Sequence, residues 1–381
     1  MAGNIKRKRS KIAHATPAAT SLASEVAAEP TTADKSGSKS QTNTAPLVTT
    51  PEATDAFIIA AGTYERILYG IEARFVDQQL TLNPRFIFPA HIGCIKSVSA
   101  GGRYLASGST DEIIKVYDLK KRVELGSLHE HKGSITALQF HGSSHLLSAS
   151  EDGAICIFRT KDWEPLKVLR GHKGPINSIA VHPTGKLALS VSRDRTVILW
   201  NLLTGQRASR TKTPQIGELV VWSPSGTLYA VVYATEIQVY SVGQAEALST
   251  IFARQRILSV LVVTHKGTDY ILCGCQDKRI HIFSTAGAEL ASVQCHENRI
   301  KGLSSVNVTF PDGVPSTIVV SISSDGHIRA WKLTDLIGYA SDTTTASETP
   351  TKDVPMSHLD PLAEYNAGVR LTCVTVSSST F

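Results

Sequence analysis

One mark recurs along this chain and sets its architecture: an Asp in a tight turn with an aromatic residue six positions later. It appears at Asp111 with Tyr117, Asp152 with Phe158, Asp194 with Trp200, Asp277 with Phe283 and Asp325 with Trp331. The intervals between successive Asp residues are 41, 42, 83 and 48 residues, so the long gap holds one further unit. That unit spans 216–251, where TLYAVVYATEIQVY keeps the strand pattern and Ala234 stands at the Asp position. Four copies also carry Ser residues just ahead of the Asp, in SGSTD, SASED, SVSRD and SISSD.

The clearest copy is 171–201, GHKGPINSIAVHPTGKLALSVSRDRTVILWN. Three short apolar runs, 176–181, 187–191 and 196–200, are separated by Pro183-Thr184-Gly185 and Arg193-Asp194-Arg195. Such runs with tight polar turns form an antiparallel meander. One small sheet is not stable alone and must stack on copies of itself. A period of roughly 40–45 residues with these marks is that of propeller blades. The stretch from about Ala56 to the C-terminus resembles the WD40-repeat superfamily.

The expected fold is therefore all-β, a seven-bladed WD40 β-propeller over 56–381, preceded by a disordered basic tail over 1–55. Six regular blades are expected at 92–128, 134–169, 175–210, 216–251, 257–293 and 300–366. Residues 56–88 form an odd blade with Glu65 at the Asp position and no innermost strand upstream. The run 369–376, VRLTCVTV, is rich in β-branched residues and is otherwise unpartnered. Pairing it with 57–61 closes the ring and removes exposed strand edges. The last blade is interrupted, and 341–357 reads as a disordered loop.

The chemistry of the mark is structural. A His before the first strand, a Ser on the second, an Asp in the turn and a Trp on the third can form a buried hydrogen-bonded chain. The WD40 pattern implies the groupings: His172 with Asp194 and Trp200 as the one copy with every part, and His91 with Asp111, His131 with Asp152, and His296 with Asp325 and Trp331 as partial copies. A His–Asp pair is also a catalytic constellation, but repetition at blade period argues for a scaffold role. No nucleophile–base pair, phosphate-binding Gly-rich loop or metal-ligand cluster is recognised, so neither a catalytic residue nor a cofactor is expected.

Charge bears on partners. The net charge is +6. On the rim bearing the Asp turns, Lys132, Lys173, Arg193, Arg195, Lys278, Arg279, Arg299 and Lys301 are candidate partner-binding residues, suited to an acidic protein face or an RNA backbone. Aromatics do not interleave with them, which disfavours stacking on single strands. In the tail, Lys6, Arg7, Lys8, Arg9 and Lys11 form a compact basic run that reads as a nuclear import signal or a contact for RNA phosphates. The six Cys contain no C-x-x-C pair, so zinc is not expected, and Cys273 and Cys275 read as small buried residues. Neither a signal peptide nor an apolar run of membrane length is found, which points to cytosol or nucleus.

A narrower resemblance follows from AHIGCIKSV, YLASGSTDEIIKVYDLKKRVELGSLHEHKGSITALQF, SEDGAICIF, KDWEPLKVLRGHKGPINSIAVHPTGKLALSVSRDRTVILWNL, VVWSPSG, CHENRIKGL, SSDGHIRAWKL and VRLTCV. In this order they resemble the PAK-interacting branch of WD-repeat proteins, whose fungal members are maturation factors of the large ribosomal subunit. The resemblance implies a nucleolar, non-enzymatic scaffold whose partners are pre-60S assembly proteins, and it leaves open whether rRNA is touched as well. Animal relatives imply the alternative of an adaptor that binds and inhibits a p21-activated-type kinase. The basic tail and the Ser/Thr-rich insertion of the last blade depart from the branch pattern, and neither changes the ring.

Overall fold

In blade 4 the local pattern dictates the sheet. Ile176–Val181, Leu187–Ser192, Thr196–Asn201 and Gln206–Lys212 lie side by side from inside to outside, all antiparallel. The second strand is buried along almost its whole length and the outer strand is exposed throughout. Arg207, Arg210 and Lys212 occupy that outer edge, where charge discourages pairing with another chain.

The computed structural model describes residues 56–244, 246–344 and 359–378. Seven such four-stranded sheets make a seven-bladed β-propeller. Each innermost strand packs on that of the next blade, and the cycle closes on itself. Seven buried apolar clusters form, one at each blade junction. Hydrophobic burial therefore holds blade to blade rather than filling the axis.

Polar contacts pin the inner strands together. Leu138 N–H donates to Ser97 Oγ at 2.9 Å, Phe140 N–H to Ser99 Oγ at 3.0 Å and Val181 N–H to Gln139 Oε1 at 2.8 Å. Innermost strands have a free edge toward the channel, and these bonds satisfy backbone groups that the sheet leaves open.

Blade 1 takes Ala56–Thr63, Ile67–Val76 and Gln79–Pro89 from the start of the ring and Leu371–Ser377 from the end. Ile59 faces Val376 and Ala60 faces Thr375 in antiparallel register. The closing strand begins at Leu371, two residues later than expected, because Val369 and Arg370 belong to the connection from blade 7. Tyr64 N–H donates to Arg370 O across that connection at 2.9 Å. Gly70 leaves room for the Phe86 ring, since a Cβ there would stand 2.0 Å from Phe86 Cζ. Phe86 stacks on Phe88, and Phe88 on Tyr117 of blade 2.

Blade 7 corrects one expectation. After its third strand, His327–Lys332, the chain enters a helix, Leu333–Thr344, so 341–344 are helical rather than irregular loop. Leu333 and Leu336 are fully buried with Trp331, Val293 and Cys295 at the junction of blades 6 and 7, and this anchors the first turn. Residues 345–358 lie outside the described residues, as do the tail and its basic run Lys6 to Lys11. The outer strand of the blade is Ala363–Asn366.

Candidate functional site

The Asp turns and the loops entering each blade share one rim. In blade 4, His172 sits in the entering loop with Nδ1 3.2 Å from Asp194 and Nε2 2.7 Å from Ser190 Oγ. Trp200 Nε1–H donates to the same Ser190 Oγ at 2.8 Å, and Thr196 Oγ1–H to Asp194 at 2.6 Å. One proton arrangement satisfies every group: Nδ1–H donates to Asp194, and Ser190 O–H donates to Nε2.

Blade 7 holds a second copy with every residue type, although its chain is open between His296 Nδ1 and Asp325, which make no hydrogen bond. His296 Nε2 lies 2.8 Å from Ser321 Oγ, Trp331 Nε1–H donates to Ser321 at 2.8 Å, and Nδ1 stands 3.4 Å from Asp325. The expectation that the His172 copy alone has every part is thus corrected. In blade 2, His91 meets Asp111 at 3.0 Å and Ser107 at 2.8 Å, with Tyr117 in the Trp position. In blade 3, His131 meets Asp152 at 3.0 Å and Ser148 at 2.7 Å, with Phe158 there.

Burial lowers the affinity of His91, His172 and His296 for a proton, more than their Asp partners raise it. Burial pushes the Asp111, Asp152, Asp194 and Asp325 carboxyls up, but hydrogen bonds and the His partners outweigh it and hold them below the usual range. Neutral imidazole beside carboxylate is the resting state.

Ser, His and Asp in line have the connectivity of a hydrolytic triad. A nucleophile must be reachable, and Ser107, Ser148, Ser190 and Ser321 have no exposed surface. In blades 4 and 7 the Ser oxygen also accepts the Trp N–H. These side chains lock turns to strands.

Blade 6 solves the same problem differently. Cys273 stands at the Ser position, and the entering loop lacks a His. Asp277 is instead met by His281 from the third strand, 2.8 Å from Nε2, while Nδ1 lies 2.8 Å from Glu289. Phe283 fills the aromatic position in the apolar junction with blade 5. Cys275, Asp277 and His281 bring metal-ligand types within 4.8 Å of one another. Burial pushes the Cys275 thiol up to about 12, and His281 already bonds Asp277, so these side chains hold one another as a structural cluster. In blade 5, Tyr233 and Tyr240 both donate to Gln238 Oε1 in place of the network, at 3.1 and 2.7 Å.

The network also presents the rim. Lys132 N–H and Lys173 N–H donate to Asp152 and Asp194, at 3.1 and 2.8 Å, leaving both side chains in solvent. Arg193, Arg195 and Lys278 project from Asp turns and are exposed. Arg299 is half-buried, with Nε donating to Ser324 at 3.3 Å. Arg279 lies along its sheet, where Nη1 donates to Ser292 of the outer strand at 3.2 Å, so it is not part of the free rim. Lys301 points to the axis and lines the central channel, a cavity of about 740 Å³, together with Lys96.

Charge on this rim is divided. Blades 2 and 3 carry Glu112, Glu130 and Glu151 around Lys132. From Lys173 onward the cations dominate, joined by Arg254, Arg256 and Arg370, which reading the repeats one by one did not single out. Their signal was position: all three lie in loops that enter a blade. Arg256 pairs with Glu218 at 2.7 Å, and Arg370 lies over the Tyr64 ring at 5.4 Å.

Comparison with known proteins accords with the repeats. The family described as WD domain, G-beta repeat matches residues 82–118, 122–159 and 163–201. Each matched unit starts in the outer strand of one blade, or just ahead of it, and ends in the third strand of the next. A mouse protein named p21-activated protein kinase-interacting protein 1 is 43% identical, over 84% of this chain and 78% of its own. Its human namesake is 41% identical, over 84% and 76%. Protein MAK11 of Saccharomyces cerevisiae is 30% identical, over 84% and 83%.

Proposed function

Because the chain belongs to the WD40-repeat family of p21-activated protein kinase-interacting protein 1, we propose that it is a non-enzymatic scaffold in maturation of the large ribosomal subunit. It works in the nucleus and nucleolus and holds pre-60S assembly proteins on its Asp-turn rim, with rRNA as a further contact. The observation that carries this reading is the likeness to Protein MAK11 over most of both chains, joined to the maturation role that the resemblance implies for fungal members of the branch. The unreachable Ser groups support a platform over a catalyst. Among the described residues no helix is long and apolar enough to cross a membrane. The basic run Lys6, Arg7, Lys8, Arg9 and Lys11 supplies the nuclear address in this proposal.

The test is sedimentation of a cell lysate on a sucrose gradient, probed for this chain and for rRNA precursors. Co-migration with 60S precursors, and loss of free 60S subunits on depletion, is the expected outcome. A small free species with normal subunit levels after depletion sinks the proposal. The names of the mouse and human relatives favour a second reading, an adaptor that restrains a p21-activated-type kinase. Capture of such a kinase by the free species in that gradient distinguishes it.

A further inference from the structure

The mouth of the channel on the Asp-turn rim gathers charge from blades that are distant in sequence. Lys96 is the second residue of the innermost strand of blade 2, Lys301 the second of that of blade 7, and Arg370 precedes that of blade 1. Burial first, and then the charges of Arg299, Arg370, Lys96 and Arg256 within electrostatic reach, reduce the hold of Lys301 on its proton. The closing strand packs between the innermost strands of blades 2 and 7, with Thr372 Oγ1 2.7 Å from Ile95 O, and this brings Arg370 to the corner of Lys96 and Lys301, where the exposed Glu65 beside Tyr64 is an opposing charge.

The same corner carries exposed apolar surface. Ile92 is 80% exposed and Tyr64 58%, although each belongs to a tightly hydrogen-bonded turn. Tyr and Arg beside an aliphatic group, next to a concave cationic mouth, have the composition of an interface hot spot. Turns held this firmly do not present such side chains by accident of flexibility.

We propose that this mouth docks an acidic peptide segment of a partner protein, its carboxylates set among Lys96, Lys301 and Arg370 and a neighbouring apolar side chain laid over Tyr64 and Ile92. Charge complementarity selects the partner. The cations converge on a point instead of forming a stripe, and Glu112, Glu130 and Glu151 flank them on the blade 2 and 3 side. A long polyanion crossing the rim meets that repulsion, whereas a compact acidic segment does not. The inference rests on the rim reading of the proposed function only in placing a partner on this face.

The experiment is fluorescence anisotropy with the full chain near physiological salt. The probes are a short labelled peptide of alternating Glu and Leu, its Gln-for-Glu counterpart and a labelled oligouridylate. The Glu peptide is expected to bind at least about tenfold more tightly than the Gln peptide and to resist competition by oligouridylate. Lys301→Met and Arg370→Gln should each weaken it about tenfold and Ile92→Ser about threefold, while Lys161→Gln, remote from the mouth, leaves it unchanged. Lys301 is half-buried, so melting of each variant is recorded; if Lys301→Met does not fold, the exposed Arg370→Gln and Ile92→Ser decide. Equal binding of the Gln peptide overturns the proposal, as does parental affinity in both exposed variants. Tighter oligouridylate binding that Arg370→Gln abolishes assigns the mouth to nucleic acid and equally overturns it. Failure in the gradient with success here removes the ribosomal reading and leaves the peptide site standing.

Discussion

Ser190 shows how much hangs on one oxygen, since it serves both His172 and Trp200. In blade 3 the equivalent Ser148 serves His131 alone, because Phe158 has no N–H. Ser190→Ala leaves one more buried donor unpaired than Ser148→Ala, so it should cost about 1–3 kcal/mol more, read by chemical denaturation. Equal losses would remove the Trp bond from the account. Protonation acts on the same groups. His91, His172 and His296 resist protonation in the fold and accept it readily once unfolded, near pH 6.5. Stability should therefore begin to fall as pH drops below about 6.5. The four network Asp residues, whose carboxyls the fold holds below their ordinary value, add a second loss as pH falls below about 4. Melting followed across this range, with a flat curve between about pH 6.5 and 5 as the contrary result, checks the first step.

The deciding element is the closing strand Leu371–Ser377. It supplies the innermost position of blade 1 and packs against the inner strands of blades 2 and 7. Thr372 Oγ1 contacts Ile95 O at 2.7 Å and Gly62 O at 2.9 Å, tying the strand to its neighbours. Removing Leu371–Phe381 strips one strand from a ring and opens two junctions, so the cooperative melt should be lost and the chain should aggregate through bared edges. A truncated chain that melts like the parent would refute closure. The helix Leu333–Thr344 shows where element reading fell short. Its sequence, LTDLIGYASDTT, is short and polar at its end, and Leu333 and Leu336 entering an inter-blade cluster, with Ile337 packed against it, favour a helix there.

For the molecule as a whole, rigidity is the useful property. Seven apolar junctions in a closed cycle hold the loops in fixed relation, and function falls to what those loops display. Arg193 and Arg195 flank Asp194 in one such loop and both side chains are exposed. Reversing both charges to Glu should leave melting within about 0.5 kcal/mol of the parent. The same change should weaken capture of pre-60S proteins from a lysate about tenfold, as expected of charges that steer and register a partner. Unchanged capture would move the binding surface off this rim.

The recurrence of Asp and aromatic, the Ser ahead of it and the alternation of short apolar runs are local chemistry. They set the strand lengths, the turns and the need to stack, so the number of blades and the outline of the His–Asp–Ser networks could be read from the chain. Contacts between distant residues could not. That Arg370, Lys301 and Lys96 share one corner follows from closure, which brings the end of the chain between blades 7 and 2. That Arg279 lies along its sheet while Lys278 projects from it depends on strand register, and His281 replaces the missing loop His because the fold leaves Asp277 within 2.8 Å of it. Periodic sequence specifies the repeating unit; the ring, by joining units far apart in the chain, decides which side chains meet.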